Sequence, residues 1–147
     1  MSLLRALLAD TAGSMVIETA IVAPVLGLLS LGAFQASAIV ARQQELQSGA
    51  AEAANIVLAA QPTTQAQLDA IRTQVAGTLS LPETQVVLTN KIRCDDDGAY
   101  SDTPCGSEEI TATYVEIVVT DTYDPIWTSL GIGNPVGFNV KRTVQIS

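Results

Sequence analysis

Histidine is absent from this sequence and basic side chains are scarce, with 7 Lys and Arg against 15 Asp and Glu, for a formal net charge of -8. Without histidine there is no His-centred triad, no imidazole general base and no imidazole metal ligand. The chain also lacks the clustered Lys and Arg that a phosphate backbone demands, so nucleic acid is not an expected partner. No Gly-x-Ser-x-Gly elbow and no phosphate-cradling glycine loop occurs, and the acids form no recognisable catalytic pair. An enzyme, a cofactor and a small-molecule substrate are therefore not expected. The only cysteines are Cys94 and Cys105, which without histidine supply too few ligands for zinc.

What the chain does have is one long apolar run. Between Glu18 and Arg42, the segment Thr19 to Ala41 carries no charged side chain. At about 1.5 Å of rise per residue it spans roughly 35 Å as a helix, enough to cross a hydrocarbon core of about 30 Å. Lipid offers backbone groups no partner, so a single span must be helical. Glu18 stands at the entrance to this run, where a carboxylate is costly and therefore a functional suspect whose partner should be named. Pro24 lies inside the run, where its missing N–H and its ring are expected to kink or loosen the helix. Loop charge does little to orient the span, because Arg5 is offset by Asp10 on one side and Arg42 stands on the other.

Beyond Arg42 the helical pattern persists. Leu46, Ala50, Ala53, Ala54, Val57 and Leu58 recur at spacings of three and four, a narrow stripe of mostly small residues that suits close docking. Arg42, Gln43, Glu45, Gln47 and Glu52 lie elsewhere around the helix, which is expected to stop before Gln61 and Pro62. A second helix is predicted from Thr64, with Gln67 completing a capping box and Leu68, Ile71, Val75 and Leu79 on its buried face, its end bracketed by Gly77 and Pro82. The period then shortens to two. Three strands are predicted: Thr84 to Cys94, with Val86, Leu88, Ile92 and Cys94 on one face; Ile110 to Asp121, with Val115, Ile117 and Val119; and Phe138 to Ser147, with Phe138, Val140, Val144 and Ile146. Between the last two runs lies an apolar loop that includes Ile126 and Trp127; it is expected to fold over the sheet edge as part of the core, and an exposed partner contact is the alternative. The order of elements predicts an α+β fold: a long N-terminal transmembrane helix continuing into a domain with a second helix and a three-stranded antiparallel meander.

If the domain is exported, its compartment is oxidising and a disulfide between Cys94 and Cys105 is expected; two free thiols are the alternative. The acidic run Asp95-Asp96-Asp97-Gly98 does not match a calcium loop, because the glycine comes fourth rather than sixth, and it is read as a solvated turn. Gly27, Gly32 and Ala33 make no clean small-xxx-small pair for helix dimerisation.

The most informative run is Gly13-Ser14-Met15-Val16-Ile17-Glu18, continuing through Thr19 to Pro24. A short leader ending in Gly, a Glu at the fifth position after it and then a long apolar helix resemble the class III leader of type IV pilins. Glu18 followed six residues later by Pro24 is similar, more narrowly, to the TadE-like family of tight-adherence (Flp-type) pilus systems. The Cys94 to Cys105 loop and the aromatic, proline-bearing stretch before the last strand are similar to that family too. Two positions depart from the pattern: Ala12 stands where a basic residue is frequent, and Thr19 where an aromatic is.

This resemblance implies a pilin-like domain and a prepilin peptidase that cleaves after Gly13, making Ser14 the new N-terminus. It implies that Glu18 neutralises the new amine of a neighbouring subunit and so sets register. The corresponding division is a leader over residues 1–13, the transmembrane half of the helix over 14–41, and a periplasmic or extracellular domain over 42–147. The implied partners are the bacterial inner membrane, the prepilin peptidase and other pilin-like subunits, and the implied role is that of a minor pilin or pseudopilin in pilus assembly or priming. Two readings compete. One is an uncleaved, single-pass anchored binding or scaffold domain. The other is an ordinary signal peptide, with Ala36-Ser37-Ala38 as its small-x-small site and Arg5 in its n-region.

Overall fold

In the computed structural model of the chain, residues 12–94, 99–103, 105 and 111–147 are described. The order of elements is helix α1 (Ala12–Ala60), helix α2 (Gln65–Leu79), strand β1 (Val86–Cys94), strand β2 (Thr111–Tyr123) and strand β3 (Val136–Gln145). Short 3-10 turns precede β1 and β3, at Glu83–Gln85 and Thr128–Leu130. The chain divides into two compact units, one ending at Ala38 and the other running from Ile39 to Ser147. The α+β class and the antiparallel meander expected from the sequence are both found.

In the first unit α1 stays helical through Pro24. Its large side chains face outward: Val16, Ile17, Ile21, Val25, Leu26, Leu28, Leu29 and Phe34 are all exposed. A helix apolar all round is one built for a surrounding that is itself apolar. Within α1, the stretch from Val16 onward is long and apolar enough to cross a membrane, with a mean hydropathy of 1.9 in an 18-residue window of which 0% is buried.

The second unit has the core. Leu46, Ala50, Ala53 and Val57 of α1 are completely buried, at the three- and four-residue spacing that one helix face requires. Leu58, expected on the same stripe, is about half exposed, because it lies one position past Val57 and points around the helix. The helix ends as Gln61 turns to a left-handed φ of 44°, its N–H still reaching the Val57 carbonyl at 2.8 Å.

The capping box at Thr64 and Gln67 forms as the sequence predicts, and Leu68, Ile71, Val75, Ala76 and Leu79 face inward. Neither Gly77 nor Pro82 supplies the stop. Ser80 takes the left-handed position at φ 53°, and the Leu81 N–H closes on the Ala76 carbonyl at 2.9 Å.

The sheet order is β1-β2-β3, all antiparallel. Its register pairs Val86 with Val119 and Leu88 with Ile117, then Val119 with Val140 and Val115 with Val144. One face therefore gathers Val86, Leu88, Val115, Ile117, Val119, Phe138 and Val140 against the helix residues in a single apolar cluster. Strand alternation puts every second side chain on that face, which is why the period-two reading located it.

The β2–β3 connection departs from expectation. Pro125 is buried and Trp127 half-buried, but Ile126, Leu130 and Ile132 are 46%, 68% and 63% exposed. Gly131 and Gly133 adopt positive φ of 74° and 73°, and a Cβ on Gly133 would lie 3.5 Å from the Trp127 ring. Part of the indole is thus covered, while the aliphatic side chains of the loop face outward.

Candidate functional site

Gly13 and Ser14 fall in the first turn of α1. Glu18 follows Ser14 by four residues, one turn further on, which is about 6 Å of axial rise. Its side chain is exposed, in a shallow groove on one helix face lined also by Thr19, Val22, Ala23 and Leu26. No charged partner reaches Glu18 among the described residues. A carboxylate with apolar, outward-facing neighbours is a group whose charge has to be met from elsewhere.

The next charge along α1 is treated differently. Arg42 donates from Nε to Asp121 Oδ2 at 2.6 Å and from Nη1 to Glu45 Oε2 at 2.8 Å. The second oxygen of Asp121 accepts the Thr122 backbone N–H at 2.8 Å. Side-chain exposures of 22% and 13% place the Arg42 to Asp121 pair mostly out of water. Burial pulls the guanidinium pKa down, and the hydrogen bonds and charges of Glu45 and Asp121 more than offset it, so the value lies above the ordinary one. Sequence reasoning placed Arg42 away from the docking stripe and missed this pair. The signal that could have found it is Asp121 itself, an acid at the end of a Val-rich strand that invites a cation.

A second missed residue is Gly49. Built onto it, a Cβ would sit 2.5 Å from Leu79 Cδ2 and 2.9 Å from Leu79 Cγ, so only glycine lets α2 approach α1 here. A glycine at a buried position beside Ala50 and Ala53 was the readable sign.

The disulfide between Cys94 and Cys105 is present, with the Cα atoms 5.5 Å apart. The described part of the loop folds back on β1. Ile92 and Ser101 exchange backbone hydrogen bonds at 2.8 and 2.7 Å, and Tyr100 meets Tyr114 edge to face with ring centroids 5.1 Å apart. Lys91 donates to Asp102 at 2.8 Å, a bond that raises the pKa of the ammonium above its usual value. Asp95, Asp96, Asp97 and Gly98, weighed above as a calcium loop, lie outside the described residues. No group of three or more potential metal ligands occurs among the described residues.

The residues singled out on α1 thus lie on one continuous helix: Gly13 and Ser14 at its start, Glu18 a turn later, Pro24 within it. The match that bears on them covers residues 13–55, which fit the family model of TadE-like protein. This segment is TadE-like. The matched residues take in Gly13, Glu18, Pro24, Arg42 and the buried Gly49, Ala50 and Ala53. No curated protein and no solved structure matches the chain. The TadE-like segment therefore includes both the apolar helix and the first half of the surface that docks α2 and the sheet.

Proposed function

We propose that the chain is a minor pilin or pseudopilin of a tight-adherence pilus, matured by a prepilin peptidase after Gly13 and used in pilus assembly or priming. The observation that carries the reading is the TadE-like match over residues 13–55, together with the exposed Glu18 at the head of the uncharged run Thr19 to Ala41. In this reading residues 1–13 are the leader, 14–41 the membrane half of α1 and 42–147 a periplasmic domain. The protein is a substrate of the peptidase and has no catalytic role of its own. Cleavage makes Ser14 an α-amine with an ordinary pKa of about 7.7 to 8.0, positively charged at neutral pH. An unpaired ammonium and an unpaired carboxylate are both expensive near lipid, and each removes the cost of the other. Pairing Ser14 of one subunit with Glu18 of the next fixes their axial offset. Pro24 has no N–H to donate and leaves the helix one backbone hydrogen bond short, a point at which it adjusts while leaving the bilayer.

Glu18→Ala tests the registration role. The variant is expected to stay in the membrane fraction at wild-type levels and to lose copurification with other pilin-like subunits. Undiminished copurification would count against an ion pair at this position.

A further inference from the structure

We infer that the β2–β3 loop, residues 124–135, is an interfacial foot that seats the second unit on the surface of the bilayer from which its own helix emerges. The inference rests on residues 19–41 being the membrane span. Its first support is position within the second unit. The Arg42 to Asp121 bond fixes the C-terminal end of β2 beside the first charged residue after the apolar run. Gln43 and Gln47 of α1 lie beside Asn139 to Arg142 of β3, and Ser48 and Ala51 come next to Arg142, so β3 advances in the same direction as α1. β2 is antiparallel to β3 and must run the opposite way, back toward Arg42 and the start of the unit at Ile39. The loop that follows Tyr123 is therefore at the end of the unit where the chain leaves the apolar run.

The second support is the chemistry of the loop. Ile126, Leu130 and Ile132 are exposed together with part of Trp127, and Asp124 is the one charged residue in the segment. Its backbone is internally bonded: Thr128 N–H to the Pro125 carbonyl at 3.0 Å, Leu130 and Ile132 N–H both to the Trp127 carbonyl, at 3.1 and 3.0 Å, and Gly131 N–H to the Thr128 carbonyl at 3.0 Å. The hydroxyls of Thr128 and Ser129 are bonded as well, to the carbonyls of Pro125 and Ile126. Apolar side chains pointing out of a loop in which these donors are already used are what a headgroup and upper-chain environment accepts at low cost, and indole is favoured at that depth. With a lone acid as its charge, the loop would bind by its apolar surface and show no preference for anionic lipid.

Trp127 is the only tryptophan of the chain, so its fluorescence reports this loop alone. The full chain is reconstituted at low protein-to-lipid ratio in phosphatidylcholine vesicles whose acyl chains are brominated either near the headgroup or near the methyl end. Carbonate resistance is measured in parallel. The expected result is a carbonate-resistant chain whose Trp127 emission is quenched more by the shallow bromines than by the deep ones. The combined substitution Ile126→Ser, Leu130→Ser, Ile132→Ser is expected to shift emission to longer wavelength and to lose most of that quenching; equal quenching in the variant would overturn the proposal. A carbonate-resistant wild type with no quenching at either depth overturns the foot and leaves the anchor standing. Shielding of Trp127 from aqueous iodide that grows with protein-to-lipid ratio, without lipid quenching, means a second copy covers the loop and also overturns it. Carbonate extraction would remove the anchor reading and the foot with it. If the variant does not fold, the wild-type depth profile decides alone.

Discussion

Arg42 and Asp121 are 79 residues apart in the chain and bonded at 2.6 Å in the fold. Their contact closes the second unit at the point where the helix passes from an uncharged run to a docking stripe, and it consumes the first positive charge beyond that run. Glu18, at the other end of the run, has no such partner among the described residues. The two charges that bound the apolar segment thus have different physical tasks: one locks the domain to its helix, the other is left for a group outside.

Removing Arg42 strands a largely buried carboxylate. Arg42→Gln is expected to destabilise the full chain in detergent by about 1–2 kcal/mol, below the cost for a fully buried pair because both side chains retain some exposure. Asp121→Asn keeps the acceptor for the Thr122 N–H and should cost less. Denaturant unfolding of the two single variants and the double variant checks this. A coupling near zero would mean that the pair is incidental.

Glycine at position 49 is set by contact with Leu79. Gly49→Ala gains up to about 1 kcal/mol of helix propensity but drives a methyl into a packed leucine, and overpacking costs typically about 1–3 kcal/mol. Net destabilisation is expected. Gly77→Ala is the internal control: nothing lies within 4 Å of its would-be Cβ, so the propensity gain should appear as a higher melting temperature. Both are read by thermal circular dichroism, and the same sign for the two substitutions would contradict the packing argument.

Breaking the bond between Cys94 and Cys105, 11 residues apart, frees a short loop in the unfolded state. Cys94→Ser with Cys105→Ser is expected to lower stability by about 3 kcal/mol in the chain-entropy account. Urea titration of both forms measures the difference. Equal midpoints would show that the β1 end is held by the Ile92 to Ser101 bridge instead.

Much of this fold was legible because its signals are local. The capping box at Thr64, the alternation that puts Val115, Ile117 and Val119 on one face, and the stop before Pro62 each need only a few neighbouring residues. What escaped depends on distant partners. Gly49 could be seen as a helix glycine, but that Leu79 presses on it is a property of the packed pair. Arg42 looked like one of the polar residues around the helix until β2 brought Asp121 to it. The loop at Trp127 reads as apolar by composition, and composition does not say which of its side chains are covered: Trp127 is half-buried while Ile126, Leu130 and Ile132 face outward. On α1 the arrangement of Gly13, Glu18 and Pro24 was readable from spacing alone, since the uncharged run from Thr19 to Ala41 leaves the carboxylate at its head conspicuous.

The central claim is that Glu18 awaits an amine made by cleavage, and the identity of the first residue tests it most directly. The chain is recovered from membranes of a cell containing the prepilin peptidase, and its intact mass and N-terminal peptide are determined. The account requires a chain beginning at Ser14. A chain still carrying Gly13 and the residues before it would contradict the account, leaving an anchored domain with an unexplained acid in its helix.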